Sequence, residues 1–178
     1  MRSVSRADVF TTACAAGVAA ALPSLVQAAA KIDGDDLKAL ASALALERAA
    51  IKAYGDVASA NVLSPPVLAV FNRFLAEHTA HRDAIVAAIS AAGQTPGSDV
   101  ATQEALAPKT ELDALGAVYG IERSLADAHF ATVATFKNRD YTRSVASILG
   151  VETTHVALLA EALRKSPAYP GGFLTSPA

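Results

Sequence analysis

The chain has 178 residues, is 52% hydrophobic and only 6% aromatic, and carries no tryptophan. This length suffices for one domain with a sizeable core, and the abundance of alanine and leucine favours packed helices over a sheet. A formal net charge of −2 without a basic block argues against nucleic acid or an anionic membrane as a partner. The single cysteine, Cys14, excludes an internal disulfide and a cysteine-based metal site.

The first 28 residues have the anatomy of a secretory signal peptide. Two arginines precede a charge-free apolar run over 9–30, and small residues around Ala28 favour cleavage after that position. The segment "SRADVF" resembles a degraded twin-arginine signal, so the twin-arginine and general secretory routes both stay open. We predict an exported protein, periplasmic or extracellular, with no stable membrane insertion after cleavage. The alternative is an uncleaved anchor, since the run approaches the ~20 residues that a membrane span needs.

Residues 33–165 are predicted to form an all-α domain. Four long helices are expected at about 35–60, 65–92, 111–136 and 139–165. Ser64 and Thr110 are good N-cap residues for the second and third helices. Only 93–109 is a long connector, which favours two antiparallel hairpins joined by a long crossover. The tail, 166–178, reads as irregular.

Each predicted helix has an apolar stripe with alternating steps of three and four residues, as in the seam of a four-helix bundle. Near the middle of every helix, polar side chains interrupt this stripe: Glu47, His78, His81, Glu122, Glu152 and His155. The middle of a helix lies at the same height whichever way the helix runs. We therefore expect these side chains to meet in one buried layer, where an unpaired charge is costly.

The two predicted hairpins also resemble each other in sequence. "LERAAIKAY" (46–54) aligns with "IERSLADAH" (121–129), and "FLAEHTAHRDAI" (74–85) aligns with "ILGVETTHVALL" (148–159). The equivalent positions are Glu47 and Glu122, Tyr54 and His129, His78 and Glu152, and His81 and His155. A duplicated hairpin would face its twin across a pseudo-two-fold axis and bring two similar sets of side chains together.

This pattern resembles the ferritin-like superfamily. In that superfamily a Glu from each of two helices and a Glu-x-x-His from each of the other two hold a di-iron or di-manganese centre. Glu47 and Glu122 match the first type, and the second type is matched by Glu152 with His155 on the fourth helix. The second helix departs, because it has histidine where the family has the glutamate of its Glu-x-x-His. One bridging carboxylate is therefore in doubt.

The resemblance implies a metal site made of Glu47, His78, His81, Glu122, Glu152 and His155. Iron as a di-iron pair is the first expectation, manganese or zinc are further options, and a mono-metal or asymmetric two-metal site stays open. Without a cation, three neighbouring carboxylates would repel, and at least one would have to keep its proton. The alternative is a relic layer without metal, in which protonated glutamate is hydrogen-bonded to histidine.

The resemblance further implies an exported metal-binding protein that oxidises Fe(II) or reduces oxygen or peroxide. Whether it is an enzyme of the ferroxidase or peroxidase type stays open, and no catalytic residue is assigned. A second reading is a protein that sequesters metal or protects against stress without turnover. A third keeps only the scaffold and uses its surface for a partner, and a homodimer is plausible by resemblance alone.

Several residues near the six candidates have simpler interpretations. His129 is expected in the core or beside the ligands rather than among them, and Tyr54 and Tyr119 as core aromatics whose hydroxyls bond a glutamate of the site. Glu77 lies one residue from the stripe and is interpreted as a flank residue, with a substitute ligand as the alternative. Arg48 is expected to face solvent or to pair at a helix interface.

Overall fold

The computed structural model describes residues 32–165 and contains no strand within them. The described helices are α1 (Gly34–Ser59), α2 (Pro65–Ala91), α3 (Glu111–Val133) and α4 (Arg139–Ala162). This confirms the predicted all-α class. The predicted signal peptide, 1–28, and the predicted tail, 166–178, lie outside the described residues.

Helices α3 and α4 each end three residues before their predicted ends, at Val133 and Ala162. The end of α4 is closed by a left-handed residue, Arg164 (φ 53°), while the amide of Lys165 donates to the carbonyl of Ala160 at 2.9 Å. This Schellman-type closure satisfies the last free carbonyls of the helix. Such a closure is usually built on glycine, and because arginine occupies the left-handed position here, the end of α4 was not recognisable from the residue types.

Two apolar clusters establish the directions of the helices. The lower cluster joins the starts of α1 and α4 to the end of α2, and the upper cluster joins the other ends of these helices to the start of α3. Representative members are Leu40, Ile89 and Tyr141 in the lower cluster, and Val57, Val67, Ala114 and Leu159 in the upper cluster. Each hairpin is therefore antiparallel, α1 runs with α4, and the connector must return along the whole bundle.

The crossover connector, 93–109, lies against α1. Arg48 donates from Nη1 to the carbonyl oxygens of Gly97 and Asp99, and the amide of Leu106 donates to Asp56 Oδ2 at 3.1 Å. Because α1 offers these partners along successive turns, the connector is held in an extended path without regular structure of its own. Arg48 is thus paired, but its partner is the connector and not a helix interface as one of its two interpretations expected.

Each hairpin supports the start of a helix in the other hairpin. Asp36 on α1 accepts hydrogen bonds from the amides of Lys137 (2.8 Å) and Asn138 (3.0 Å), just before α4. Glu111 on α3 accepts one from the amide of Ser64 (2.7 Å), just before α2. Glu111 follows Asp36 by 75 residues and Asn138 follows Ser64 by 74, the offsets that also relate the polar residues of the two halves. The duplication therefore extends from the layer to the helix caps.

Among the described helices, α4 is the one whose length and composition would suit a membrane span. The core helix of a bundle meets the same criteria. Here α4 carries Glu152 and His155, both buried among side chains of other helices.

Candidate metal centre

The structure brings all six predicted side chains together between the two apolar clusters. None of them is more than 2% exposed, and His129 joins them with no exposed surface. We call these residues the polar layer: Glu47, His78, His81, Glu122, His129, Glu152 and His155. The layer contains every histidine of the chain. The predicted convergence is confirmed, whereas the ligand role of each residue stays a prediction.

Within the layer, two groups of four side chains each have ligand atoms within 4.8 Å of one another. The first ligand group is Glu47, His78, His81 and Glu152, and the second ligand group is His78, Glu122, Glu152 and His155. The two groups share His78 and Glu152, which are equivalent positions of the duplicated hairpins. The unshared members are also equivalent in pairs, so the layer preserves the internal symmetry of the sequence.

His78 occupies the centre of the layer. Its Nδ1 lies 2.9 Å from Glu47 Oε2, and its Nε2 lies 3.0 Å from Glu122 Oε1. With both glutamates ionised, both contacts are hydrogen bonds only when both ring nitrogens carry a proton. Burial alone would lower the pKa of His78, but the charges of Glu152 and Glu122 outweigh it and raise this pKa well above its ordinary value. The surroundings of His78 thus favour a protonated imidazole at the position where the ferritin-like pattern has a carboxylate.

The other two candidate histidines turn Nδ1 toward the glutamates. His81 Nδ1 lies 3.2 Å from Glu152 Oε1 and 3.5 Å from Glu47 Oε1, whereas His155 Nδ1 lies 3.2 Å from Glu122 Oε2. Burial opposes their protonation, but the carboxylates raise the pKa of His81 to about 9 and that of His155 well above its ordinary value. Both rings therefore favour the cationic form in the metal-free layer.

The carboxyl groups respond in the opposite direction. Burial would raise the pKa of Glu47 and Glu122, but hydrogen bonds and charges from the neighbouring histidines hold both pKa values well below the ordinary range. The sequence argument expected a glutamate to keep its proton in the absence of a cation. Glu47 and Glu122 are not suited to that role, because the neighbouring histidines stabilise their charged forms.

Several polar atoms of the layer are buried without a hydrogen bond. They are both carboxylate oxygens of Glu152 and the Nδ1 atoms of His81 and His129. Buried polar atoms almost always have a partner, and leaving one without costs about 1–3 kcal/mol. Glu152 and His81 both belong to the first ligand group, where these atoms face one another at 3.2 Å. Once His81 loses its proton, its Nδ1 lone pair and the oxygens of Glu152 fit coordination to a shared cation.

Two hydrogen-bonding contacts repeat across the duplication. Tyr54 donates from its hydroxyl to Glu122 Oε1 at 2.5 Å, and His129 Nε2 lies 3.1 Å from Glu47 Oε1. Tyr54 and His129 are equivalent, as are the glutamates they touch, so each half supports the glutamate of the other. The expectation for Tyr54 is confirmed. His129 touches a predicted ligand and belongs to neither ligand group, and its equivalence to Tyr54 was the sequence signal for this contact.

Glu77 and Tyr119 are placed differently from their simplest interpretations. Glu77 is half-buried: its Oε2 lies 2.7 Å from Nε2 of His155, and its Oε1 accepts from Arg73 Nε at 3.1 Å. It is therefore more than a flank residue, yet it is in neither ligand group. Tyr119 packs beside the upper cluster under the ammonium of Lys165 and forms no hydrogen bond to a glutamate of the layer. The expected hydroxyl contact of Tyr119 is wrong.

The comparisons with known proteins agree with this architecture. The sequence profile of the ferritin-like domain family matches residues 35–165, which contain all four helices except the first residue of α1. The chain belongs to the ferritin-like domain family. Its bundle is similar to the crystal structure of a conserved hypothetical protein from Mycobacterium tuberculosis, with a TM-score of 0.66 and 25% identity over 74% of this chain and 100% of that chain. No curated protein matches the sequence significantly.

The polar layer of this ferritin-like bundle is chemically suited to a metal ion. Mixed carboxylate and imidazole donors are used by iron, manganese and zinc sites in proteins. The buried oxygens of Glu152 and Nδ1 of His81 have no hydrogen-bond partner, and a bound metal ion would provide one partner for all of them. The described residues thus include two overlapping groups that could hold a metal.

Proposed function

We propose that this ferritin-like protein binds a divalent transition metal in its polar layer, with iron as the preferred ion. The observation that carries the proposal is the burial of Glu152 with neither carboxylate oxygen hydrogen-bonded, at the position common to both ligand groups. A metal ion would coordinate these oxygens directly, whereas in the metal-free layer the nearest histidine nitrogens lie 3.2 to 3.7 Å away and form no hydrogen bond to them.

The ligand set favours one metal, or two metals held unequally, over a symmetric pair. Glu152 can serve either group, with Glu47 and His81 on one side and Glu122 and His155 on the other. His78 faces the two sides through different ring nitrogens, and a neutral imidazole has only one lone pair. It can therefore bind one metal at a time unless it loses both protons.

Bound iron would supply a one-electron couple that can pass electrons to oxygen or peroxide. We propose Fe(II) oxidation or peroxide reduction as the activity, in the periplasmic or extracellular space indicated by the predicted signal peptide. The residues of the chain would bind and orient: burial excludes water from the layer, and Tyr54 and His129 hold the carboxylates of Glu122 and Glu47.

A second candidate function is metal sequestration without turnover, or a purely structural layer. The purely structural layer is favoured by the charge compensation among its side chains, in which histidines of raised pKa neutralise Glu47 and Glu122 without a metal. A metal must displace these protons in order to bind.

Metal titration of the full chain tests the proposal. We expect the metal-free protein to bind Fe(II) under anaerobic conditions and to release protons as it does so. Glu152→Gln removes a carboxylate common to both groups, and we expect it to weaken binding by more than about 100-fold. That loss would exceed the range typical of replacing a residue that only hydrogen-bonds to a metal ligand. Asp36→Asn is the matched control, because Asp36 is a buried carboxylate outside the layer. It should leave the affinity unchanged.

The outcomes separate the candidates. Rapid oxidation on stopped-flow mixing of the Fe(II)-loaded protein with oxygen or peroxide supports the redox function. Tight binding without oxidation supports sequestration. If the wild-type protein takes up no iron, manganese or zinc, the metal-binding proposal is wrong and only the structural layer remains.

A further inference from the structure

The two halves of the layer differ in what contacts their histidines from outside. His155 on α4 has Glu77 Oε2 at 2.7 Å from Nε2, the nitrogen opposite to the one that faces the glutamates of the layer. The position equivalent to Glu77 in the duplicated half is Val151. The carboxylates that contact His81 within the described residues, Glu47 and Glu152, both approach its Nδ1. Among the residues that the structure describes, His155 thus has an outer carboxylate on its second nitrogen and His81 has none.

An outer carboxylate decides which ring nitrogen offers its lone pair. A neutral imidazole carries one proton, and a carboxylate at Nε2 holds that proton on Nε2. Nδ1 of His155 then turns its lone pair toward Glu122, whose Oε2 lies 3.2 Å away, and toward Glu152 Oε2 at 3.7 Å. The same contact fixes the ring orientation and increases the basicity of the ligand.

The carboxylate of Glu77 is itself held in place. Its second oxygen accepts from Arg73 Nε at 3.1 Å, so the contact between Glu77 and His155 is oriented from the outer side of the bundle. The ring of His155 is also stacked on Phe74, with centroids 3.8 Å apart. His155 is therefore constrained on its outer nitrogen and on its face before any metal binds.

We propose that Glu77 is a positioning residue that makes the second ligand group the stronger metal site, so that the two groups fill in order. The group containing Glu122 and His155 binds first, and the group containing Glu47 and His81 binds second and more weakly. This inference rests on the proposed metal-binding function. It adds that the two sites are inequivalent and that one half-exposed carboxylate outside both groups causes the difference.

The test is a titration of the metal-free full chain with Co(II), whose absorption reports each coordination event, and with Fe(II) under anaerobic conditions. We expect Glu77→Val, which makes the first hairpin copy the second, to weaken the tighter event by about 10–100-fold and to leave the weaker one unchanged. Val151→Glu gives His81 the same kind of support and should strengthen the weaker event. Asp83→Asn, an exposed carboxylate on the same helix, is the control and should change neither.

A spectroscopic measurement separates positioning from a general loss of structure. In Zn(II)-loaded protein labelled at histidine nitrogens, His155 should show a proton on Nε2 in a strong hydrogen bond. Glu77→Gln should weaken that hydrogen bond while the thermal unfolding of the metal-free variant stays close to wild type.

Each outcome bears on a different claim. Wild-type protein that binds no metal overturns both the proposed function and this inference. Metal binding that Glu77→Val and Glu77→Gln leave unchanged overturns the inference alone. An equal loss of affinity in Asp83→Asn would assign the effect to net charge and would also overturn it. If Glu77→Val fails to fold, Glu77→Gln and Val151→Glu decide the matter.

Discussion

The two hairpins, α1–α2 and α3–α4, place side chains at equivalent positions in and around the layer. At several of these positions the two hairpins carry different residue types. The positions that differ are Tyr54 and His129, His78 and Glu152, and Glu77 and Val151. Helix periodicity determines where a side chain lies, whereas its identity determines the charge of the layer. The second hairpin keeps the family's Glu-x-x-His, and the first replaces its carboxylate with an imidazole. A duplicated scaffold can thus keep its geometry while a histidine in one half balances the charge of glutamates from both halves.

The largest effect on stability is expected for His78→Glu, which makes the first hairpin match the family's Glu-x-x-His pattern. The substitution removes the cation between Glu47 and Glu122 and adds another buried carboxylate. We expect the free energy of unfolding of the metal-free protein to fall by about 3–5 kcal/mol, the usual cost of breaking a buried ion pair. Urea unfolding with a chelator measures this loss, and added Fe(II) or Zn(II) should reverse most of it. Unchanged stability in the chelator would show that His78 is not the counter-charge.

The pH dependence of the stability of the metal-free protein tests the same charge compensation between histidines and glutamates. The pKa of His81 rises from 6.5 to about 9 on folding, so its contribution is complete below pH 6.5 and is lost as the pH rises through about 9. A shift of this size corresponds to up to about 3 kcal/mol. The pKa values of Glu47 and Glu122 are lowered from 4.5, so their contribution is present above pH 4.5 and lost as the pH falls through the folded values.

Metal-free stability should therefore be greatest between about pH 4.5 and pH 6.5. Urea unfolding across the pH range with a chelator measures this profile, and His81→Gln should flatten its alkaline side. Metal affinity should increase with pH over the same alkaline range, because imidazole must lose its proton to bind. A stability that stays level up to pH 10 would contradict the assignment of His81 as a cation.

The reciprocal contacts of Tyr54 and His129 allow a smaller test of the symmetry. Tyr54→Phe removes a buried hydrogen bond to Glu122, and His129→Phe removes a buried contact to Glu47. Each should lower the free energy of unfolding by about 2 kcal/mol, as expected for a hydrogen bond to a charged group. Denaturant unfolding of both variants and of the double variant measures the costs. A neutral effect of one and a large effect of the other would show that the two halves are not energetically equivalent.

The smallest expected effects are at the helix starts. Asp36→Ala removes the acceptor for two amides before α4, and Glu111→Ala removes the acceptor for one amide before α2. We expect losses of about 1 kcal/mol, larger for Asp36 than for Glu111, in the range typical of caps. The midpoint of thermal unfolding checks this order. The reverse order would contradict the proposed capping roles, because burial and the number of amides both predict the larger loss at Asp36.

Much of the fold was predictable because its signals are local or periodic. The seven-residue pattern located four helices and their shared polar layer, and Thr110 caps α3 as predicted by accepting from the amide of Asp113 at 3.1 Å. Ser64 occupies its predicted cap position but its side chain forms no capping hydrogen bond. Leu112 fits the three-and-four spacing of the apolar stripe of α3, yet it is 48% exposed because it lies in the first turn, at the edge of the bundle.

What sequence reasoning missed depends on contacts between helices. The position of His78 between two glutamates, and of Glu77 behind His155, follows from how the hairpins pack. The charge argument compared glutamates with one another and omitted histidine as a cation, so it missed the compensation of Glu47 and Glu122 by the imidazoles. The caps by Asp36 and Glu111 were detectable in principle, since they obey the offset of the duplication.

The exchange of caps and layer contacts between the hairpins also bears on the origin of the chain. Asp36 completes a helix of the second hairpin and Glu111 completes one of the first, so neither hairpin holds all the partners that it needs. An ancestor with a single hairpin would have had to associate with its own copy to gain them. In that scenario the extended connector along α1 joins two copies that were once separate chains, and a single polypeptide would let the two halves diverge in sequence.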